Sequence, residues 1–102
     1  PTRNGRNGMI FTWQGVMNMR NKKWEDDFGE LDPSGSSFVD HEYTRAYVRH
    51  LIHAEEMLGL EILSLHNLAF YLELVAQARR HIMDGDFKQW KESVMPQLKT
   101  RL

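Results

Sequence analysis

The sequence predicts a mainly α-helical chain that opens with a β-hairpin, an α+β arrangement. Three observations carry this: two short alternating runs around a Gln-Gly, an acidic stretch rich in Pro, Gly and Ser, and apolar patterns of helical period through the remainder. At 102 residues, 41% hydrophobic and 26% charged, the chain has a globular composition and length enough for one structural unit with a modest core.

The elements follow in order. "MIFTW" and "VMNMRN" flank Gln14-Gly15, which predicts a hairpin over Met9–Asn21 with the glycine supplying the turn. From Lys22 to Asp40 the residues Pro33 and Ser34-Gly35-Ser36-Ser37 predict a loop, long enough that local turns or a function are expected in it. A helix is expected to start at Asp40 as N-cap, with Glu42 in its first turn and Tyr43, Ala46, Tyr47, His50, Leu51 and Ala54 on one face. Gly59 is expected to interrupt the pattern and Ser64 to cap the next helix. That helix has Leu65, Leu68, Ala69, Leu72, Val75, Ala76, Ile82 and Met83 as its main face, widened by Phe70, Tyr71 and Leu74. Gly85 stops it, and Asp86 caps a last helix with Phe87, Trp90 and Val94 that runs to Pro96. Trp13, Trp24, Trp90 and the methionines are assigned to the core.

The long helix is apolar around more than half its circumference, wider than the stripe of about 100° that a surface helix needs. It is therefore expected to pack on more than one body, either a second chain or protein outside this chain. No apolar run approaches the roughly 20 residues that cross a bilayer. No basic segment followed by an apolar stretch marks a secretory leader. The absence of cysteine excludes disulfides and thiolate metal sites, which fits the cytoplasm.

A net charge of −1 conceals polarity along the chain. Arg3, Arg6, Arg20, Lys22 and Lys23 precede any acid, and then Glu25, Asp26, Asp27, Glu30, Asp32, Asp40 and Glu42 precede any further base. Such a basic head is either an anion site beside a solvated acidic loop or the surface partner of that loop. Arg3 and Arg6 in "TRNGRNG" suit bidentate contact with phosphate or base edges, since the flexible glycines allow close backbone approach. The carboxylates Asp26, Asp27, Glu30 and Asp32 lack the spacing of a calcium loop and read as solvated. His50 and His53 lack a completing ligand and read as surface residues; His66 reads as a buried histidine bonded to backbone. No nucleophile, base and orienting group can be assembled, so no catalytic residue is assigned.

The segments "PTRNGRNGMIFT", "NMRNKKWEDDF", "LDP", "YTRAYVRHL", "EMLGLEILSLHNLAFYLELV" and "ARRHIMDGDFKQW" resemble, in this order, the carboxyl end of bacterial tRNA-guanine transglycosylase, also called queuine tRNA-ribosyltransferase. The resemblance covers essentially the whole chain. It implies a (β/α)8 TIM barrel of which this chain is the last part. Residues 1–63 would be the exit loop of the eighth strand, the hairpin and an inserted subdomain, and residues 64–102 the eighth barrel helix and a C-terminal helix. It implies exchange of the wobble guanine of tRNA for a 7-deazaguanine precursor of queuosine by double displacement, with the nucleophilic aspartate and base pocket upstream of Pro1. The partners implied are a tRNA anticodon loop gripped by Arg3 and Arg6, the missing N-terminal barrel and a second copy in a homodimer; no membrane is implied. A freestanding non-catalytic module that binds RNA or dimerises is the alternative.

One departure stands out. The family carries Cys-x-Cys-x-x-Cys after "LDP" and a histidine in the "HN" pair, which together hold a structural zinc. Aligned without gaps, the cysteine positions fall on Gly35, Ser37 and Asp40, so only His66 remains. No metal or other cofactor is therefore expected. Phe38 and Val39 are expected to pack inward in its place.

Overall fold

The computed structural model describes residues 7–102. Strands β1 (Met9–Thr12) and β2 (Gly15–Asn18) pair antiparallel with Ile10 opposite Met17 and Thr12 opposite Gly15. Ile10, Thr12, Gly15 and Met17 turn inward, as period-two alternation requires, and Trp13-Gln14 make the turn. The expected hairpin is present, with β2 ending at Asn18 instead of Asn21. The far end of the chain joins it: Val16 donates to the Thr100 carbonyl at 2.7 Å, and Leu102 donates back to Val16 at 2.9 Å.

The acidic stretch contains a 3-10 turn (Lys22–Trp24) and a single helical turn α1 (Val39–Glu42). Helix α2 spans Arg45–His53, α3 spans Met57–Asp84 and α4 spans Phe87–Leu98. Several expectations need correcting. Asp40 does not cap a helix; its side chain goes inward, and Thr44 caps α2 by accepting from the Tyr47 N–H at 3.1 Å. The buried face of α2 is therefore Ala46, Val48, Leu51 and Ile52, with Tyr47 and His50 outside.

Gly59 does not break the chain, and Ser64 caps nothing: both lie inside α3. Gly59 is where α3 crosses α2, since a Cβ there would stand 2.9 Å from Leu51 Cβ and 3.0 Å from Ile52 Cδ1. Its use is close helix approach. The third correction is the face of α3: Gly59, Ile62, Leu63, His66 and Asn67 are buried, while Leu58, Leu65, Leu68, Leu72 and Met83 form an exposed stripe. Being one continuous helix of 28 residues, α3 is also long and apolar enough by length and composition to cross a membrane, contrary to the count of uninterrupted apolar runs. The fourth concerns α4, which continues through Pro96 to Leu98. Gly85 ends α3 in the left-handed region at φ 79°, as expected. The Asp86 carboxylate, however, bonds His81 Nδ1 at 2.7 Å instead of capping α4.

The core lies between the hairpin, the acidic loop, α2 and the first half of α3. Ile10, Met17, Met19, Trp24, Leu31, Val39, Val48, Leu51, Ile52, Ile62 and Leu63 form one apolar cluster. Of the tryptophans only Trp24 joins it; Trp13 and Trp90 are half-buried, and Met57 and Met83 are exposed. Val39 packs inward as expected, but Phe38 points to solvent.

Candidate functional site

The buried polar groups converge where β1, the acidic loop, α1 and α3 meet. Asp32, Asp40, His66 and Asn67 are each about 1% exposed. His66 and Asn67 follow Ile62 and Leu63 by four residues, so they share the inward face of α3 against the hairpin. In an antiparallel pair alternate residues aim both backbone groups at the partner strand, leaving Met9 and Phe11 to face the other way. Side chains of α3 fill that edge: the Phe11 N–H donates to Asn67 Oδ1 at 3.1 Å, and Asn67 Nδ2 donates to the Met9 carbonyl at 2.9 Å. His66 Nε2 donates to the Phe11 carbonyl at 2.7 Å.

The other ring nitrogen of His66 meets Asp40. Nδ1 is hydrogen-bonded to Asp40 Oδ1, while Oδ2 of the same carboxylate accepts from the Ser37 N–H at 3.1 Å. Asp32 begins a tight turn in which its carbonyl accepts from Gly35 and its Oδ1 from Ser34, at 2.9 and 3.1 Å. Its second oxygen, Oδ2, is buried without a hydrogen-bond partner. Burial raises the Asp32 pKa, reinforced by the Asp40 charge and opposed by His66. Burial also works against the His66 imidazolium, but the hydrogen bond and charge of Asp40, the Phe11 carbonyl and Asp32 outweigh it, so its pKa lies above the ordinary 6.5.

An outer layer fixes the loop. His41 bridges Glu30 Oε2 at 2.6 Å and the Gly35 carbonyl at 2.9 Å; these two bonds, the Gly35 one foremost, raise its pKa. Arg45 donates to the Leu31 carbonyl and to Asp27 Oδ2, both at 3.2 Å. The Asp27 pKa is lowered, first by the Gly29 N–H and then by Arg45. The acidic run is thus not a free solvated face: Asp32 is interior, and Asp27, Glu25 and Glu30 pair with Arg45, Arg49 and His41.

This geometry can be set beside known proteins. The sequence model described as queuine tRNA-ribosyltransferase matches residues 1–100. The chain belongs to the queuine tRNA-ribosyltransferase family. It is 39% identical over 102 residues to the queuine tRNA-ribosyltransferase of Aquifex aeolicus, covering 100% of this chain and 27% of that one. Against that of Oleidesulfovibrio alaskensis it is 41% identical over 100 residues, 95% of this chain and 26% of the relative. Against that of Lactococcus lactis subsp. cremoris it is 46% identical over 92 residues, 90% and 24%. The chain spans about a quarter of the length of these curated relatives.

For a queuine tRNA-ribosyltransferase chain, the four positions expected to carry zinc ligands do come together: Gly35, Ser37 and Asp40 surround the carboxylate that meets His66. The donor set does not fit a structural zinc. Position 35 has no side chain, and Ser37 offers a hydroxyl where a thiolate is needed. Among the described residues, one histidine and two carboxylates, Asp32, Asp40 and His66, have candidate ligand atoms within 4.8 Å of one another. A closed structural site takes four ligands, with about 2.0–2.1 Å from zinc to nitrogen, and keeps its ligands apart. Here Asp40 and His66 are bonded directly to each other.

His50 and His53 lie exposed on α2, as expected, and join no metal-ligating cluster among the described residues. Arg3 and Arg6, the candidate RNA contacts, lie outside the described residues. Asp32, expected to be solvated, is buried, and Asn67 joins the site with no role expected for it from the sequence. Their signals were polar residues inside otherwise apolar strings, "LDP" and "HNLAF".

Proposed function

We propose that the chain is the carboxyl-terminal part of a tRNA-guanine transglycosylase that exchanges the wobble guanine of tRNA for a 7-deazaguanine queuosine precursor. The observation that carries this is the family match along residues 1–100. In the double displacement an aspartate upstream of Pro1 attacks the ribose anomeric carbon and guanine leaves. The incoming base then displaces the covalent intermediate. This chain's part is to hold Arg3 and Arg6 beside that chemistry for an anticodon loop, whose extruded bases and phosphates suit guanidinium contacts.

The exposed stripe Leu58, Leu65, Leu68, Leu72 and Met83 supports the reading that α3 packs on an N-terminal barrel. A protein surface is favoured over a bilayer as its cover, because the opposite face of α3 already binds hairpin backbone through His66 and Asn67. Base exchange with labelled guanine and substrate tRNA is the test. The isolated chain is expected to be inactive, and turnover by it would refute the assignment of the chemistry upstream. In the full-length protein, Arg3→Ala and Arg6→Ala are expected to weaken tRNA binding; unchanged affinity at fixed salt would remove their role.

A further inference from the structure

We propose that the Asp40–His66 ion pair takes the place of a metal cross-link in this chain, and that Gly35 is the change that makes room for it. The hydrogen-bond roles fit the ion pair. The Phe11 carbonyl can only accept, so Nε2 of His66 carries a hydrogen. As a carboxylate Asp40 accepts at both oxygens, at Oδ2 from the Ser37 N–H and at Oδ1 from His66 Nδ1, which places the hydrogen between them on the ring. His66 is thus an imidazolium clamped between α1 and β1, and Asp32 adds a second negative charge beside it.

The space is equally specific. A Cβ at position 35 would lie 1.9 Å from Asp40 Oδ2, 2.3 Å from its Cγ and 2.8 Å from its Cβ, so the two atoms of the carboxyl group make the severest overlap. A side chain at 35 and a carboxylate at 40 therefore exclude each other in this loop. The carboxylate enters the volume that a residue at 35 would fill, and it bonds directly the ring nitrogen that a metal would need. Ser37, Asp40 and His66 still tie the same segments together, by hydrogen bonds instead of a metal ion.

Three readouts test this. Protein expressed with added zinc and purified without chelator is expected to hold substoichiometric zinc and to melt at the same temperature with and without EDTA. One equivalent of zinc whose removal lowers the melting temperature would overturn the proposal. Nitrogen chemical shifts of His66 at pH 6 are expected to report hydrogens on both ring nitrogens, and a ring with one bare nitrogen would overturn it. Gly35→Ala and Asp40→Ala are each expected to lower the melting temperature, while the double variant loses clearly less than the sum of the two. Additive losses would show that Gly35 is not there for Asp40.

Discussion

The two halves of this molecule treat apolar residues in opposite ways. From Ile10 to Asn67 a set of them closes around a core stapled by buried polar groups; beyond Asn67, among the described residues, none is fully buried. Helix α3 belongs to both halves. Its first part buries Gly59, Ile62, Leu63, His66 and Asn67, whereas Leu68, Leu72, Ile82 and Met83 stand 48%, 58%, 60% and 85% exposed. The second part meets α4 across an apolar groove lined by Leu74, Val75, Ala78, Trp90 and Val94, and near its start Phe70 lies against Trp13 of the hairpin turn, ring centroids 5.0 Å apart. One half supplies its own stability, and the other is shaped to receive it from outside.

Substitutions that separate the halves range from large effects to small. Removing one member of the buried pair, as in His66→Ala, leaves Asp40 uncompensated and is expected to cost about 3–5 kcal/mol in urea unfolding. Leu63→Ala, in the same packed half, is expected to cost about 2–5 kcal/mol. The matched change Leu72→Ala, four residues past Leu68 on the exposed stripe, is expected to stay within about 0.5 kcal/mol for the isolated chain. It should weaken association with the barrel portion instead, and equal costs at positions 63 and 72 would erase the distinction.

The pH dependence reports on the staple together with His41, whose pKa is raised as well. The raised His66 pKa means that its stabilisation is complete below the unfolded value of 6.5 and is lost as pH rises through the folded value. Unfolding free energy should therefore fall from about pH 6.5 upward, and Asp40→Asn should flatten that slope. The smallest expected effect is at Asp32, whose Oδ2 is buried without a partner near another carboxylate. Asp32→Asn should raise stability at neutral pH by less than about 1 kcal/mol, because an amide ends the cost of burying the charge and keeps the acceptor for Ser34, while the lost attraction to His66 offsets part of the gain.

Element types were legible in the sequence, since hairpin alternation and helical period are local. The excess apolar surface of the long helix was legible too. Its orientation was not. Counting apolar positions selected the Leu65–Leu72 stripe, because that stripe is the more hydrophobic one and belongs to a surface outside the chain. The true inward face includes His66, expected from the sequence to be buried and bonded to backbone, and Asn67, a polar residue that periodicity counts against burial although it satisfies strand-edge backbone. Asp40 and Thr44 are both cap-type residues, and only the tertiary contact with His66 decides that Thr44 takes the cap. The mutual exclusion of Gly35 and Asp40 depends on loop geometry that no local pattern encodes.

Native-state amide hydrogen exchange along α3 tests the division most directly, because both behaviours occur in one helix. In the isolated monomeric chain, amides from Ile62 to Asn67 should exchange only through global unfolding, while those from Ala78 to Met83 should open locally at far lower free energy. In the full-length protein the two stretches should become similarly protected. Uniform protection in the isolated chain, or a split that persists at full length, would contradict the account.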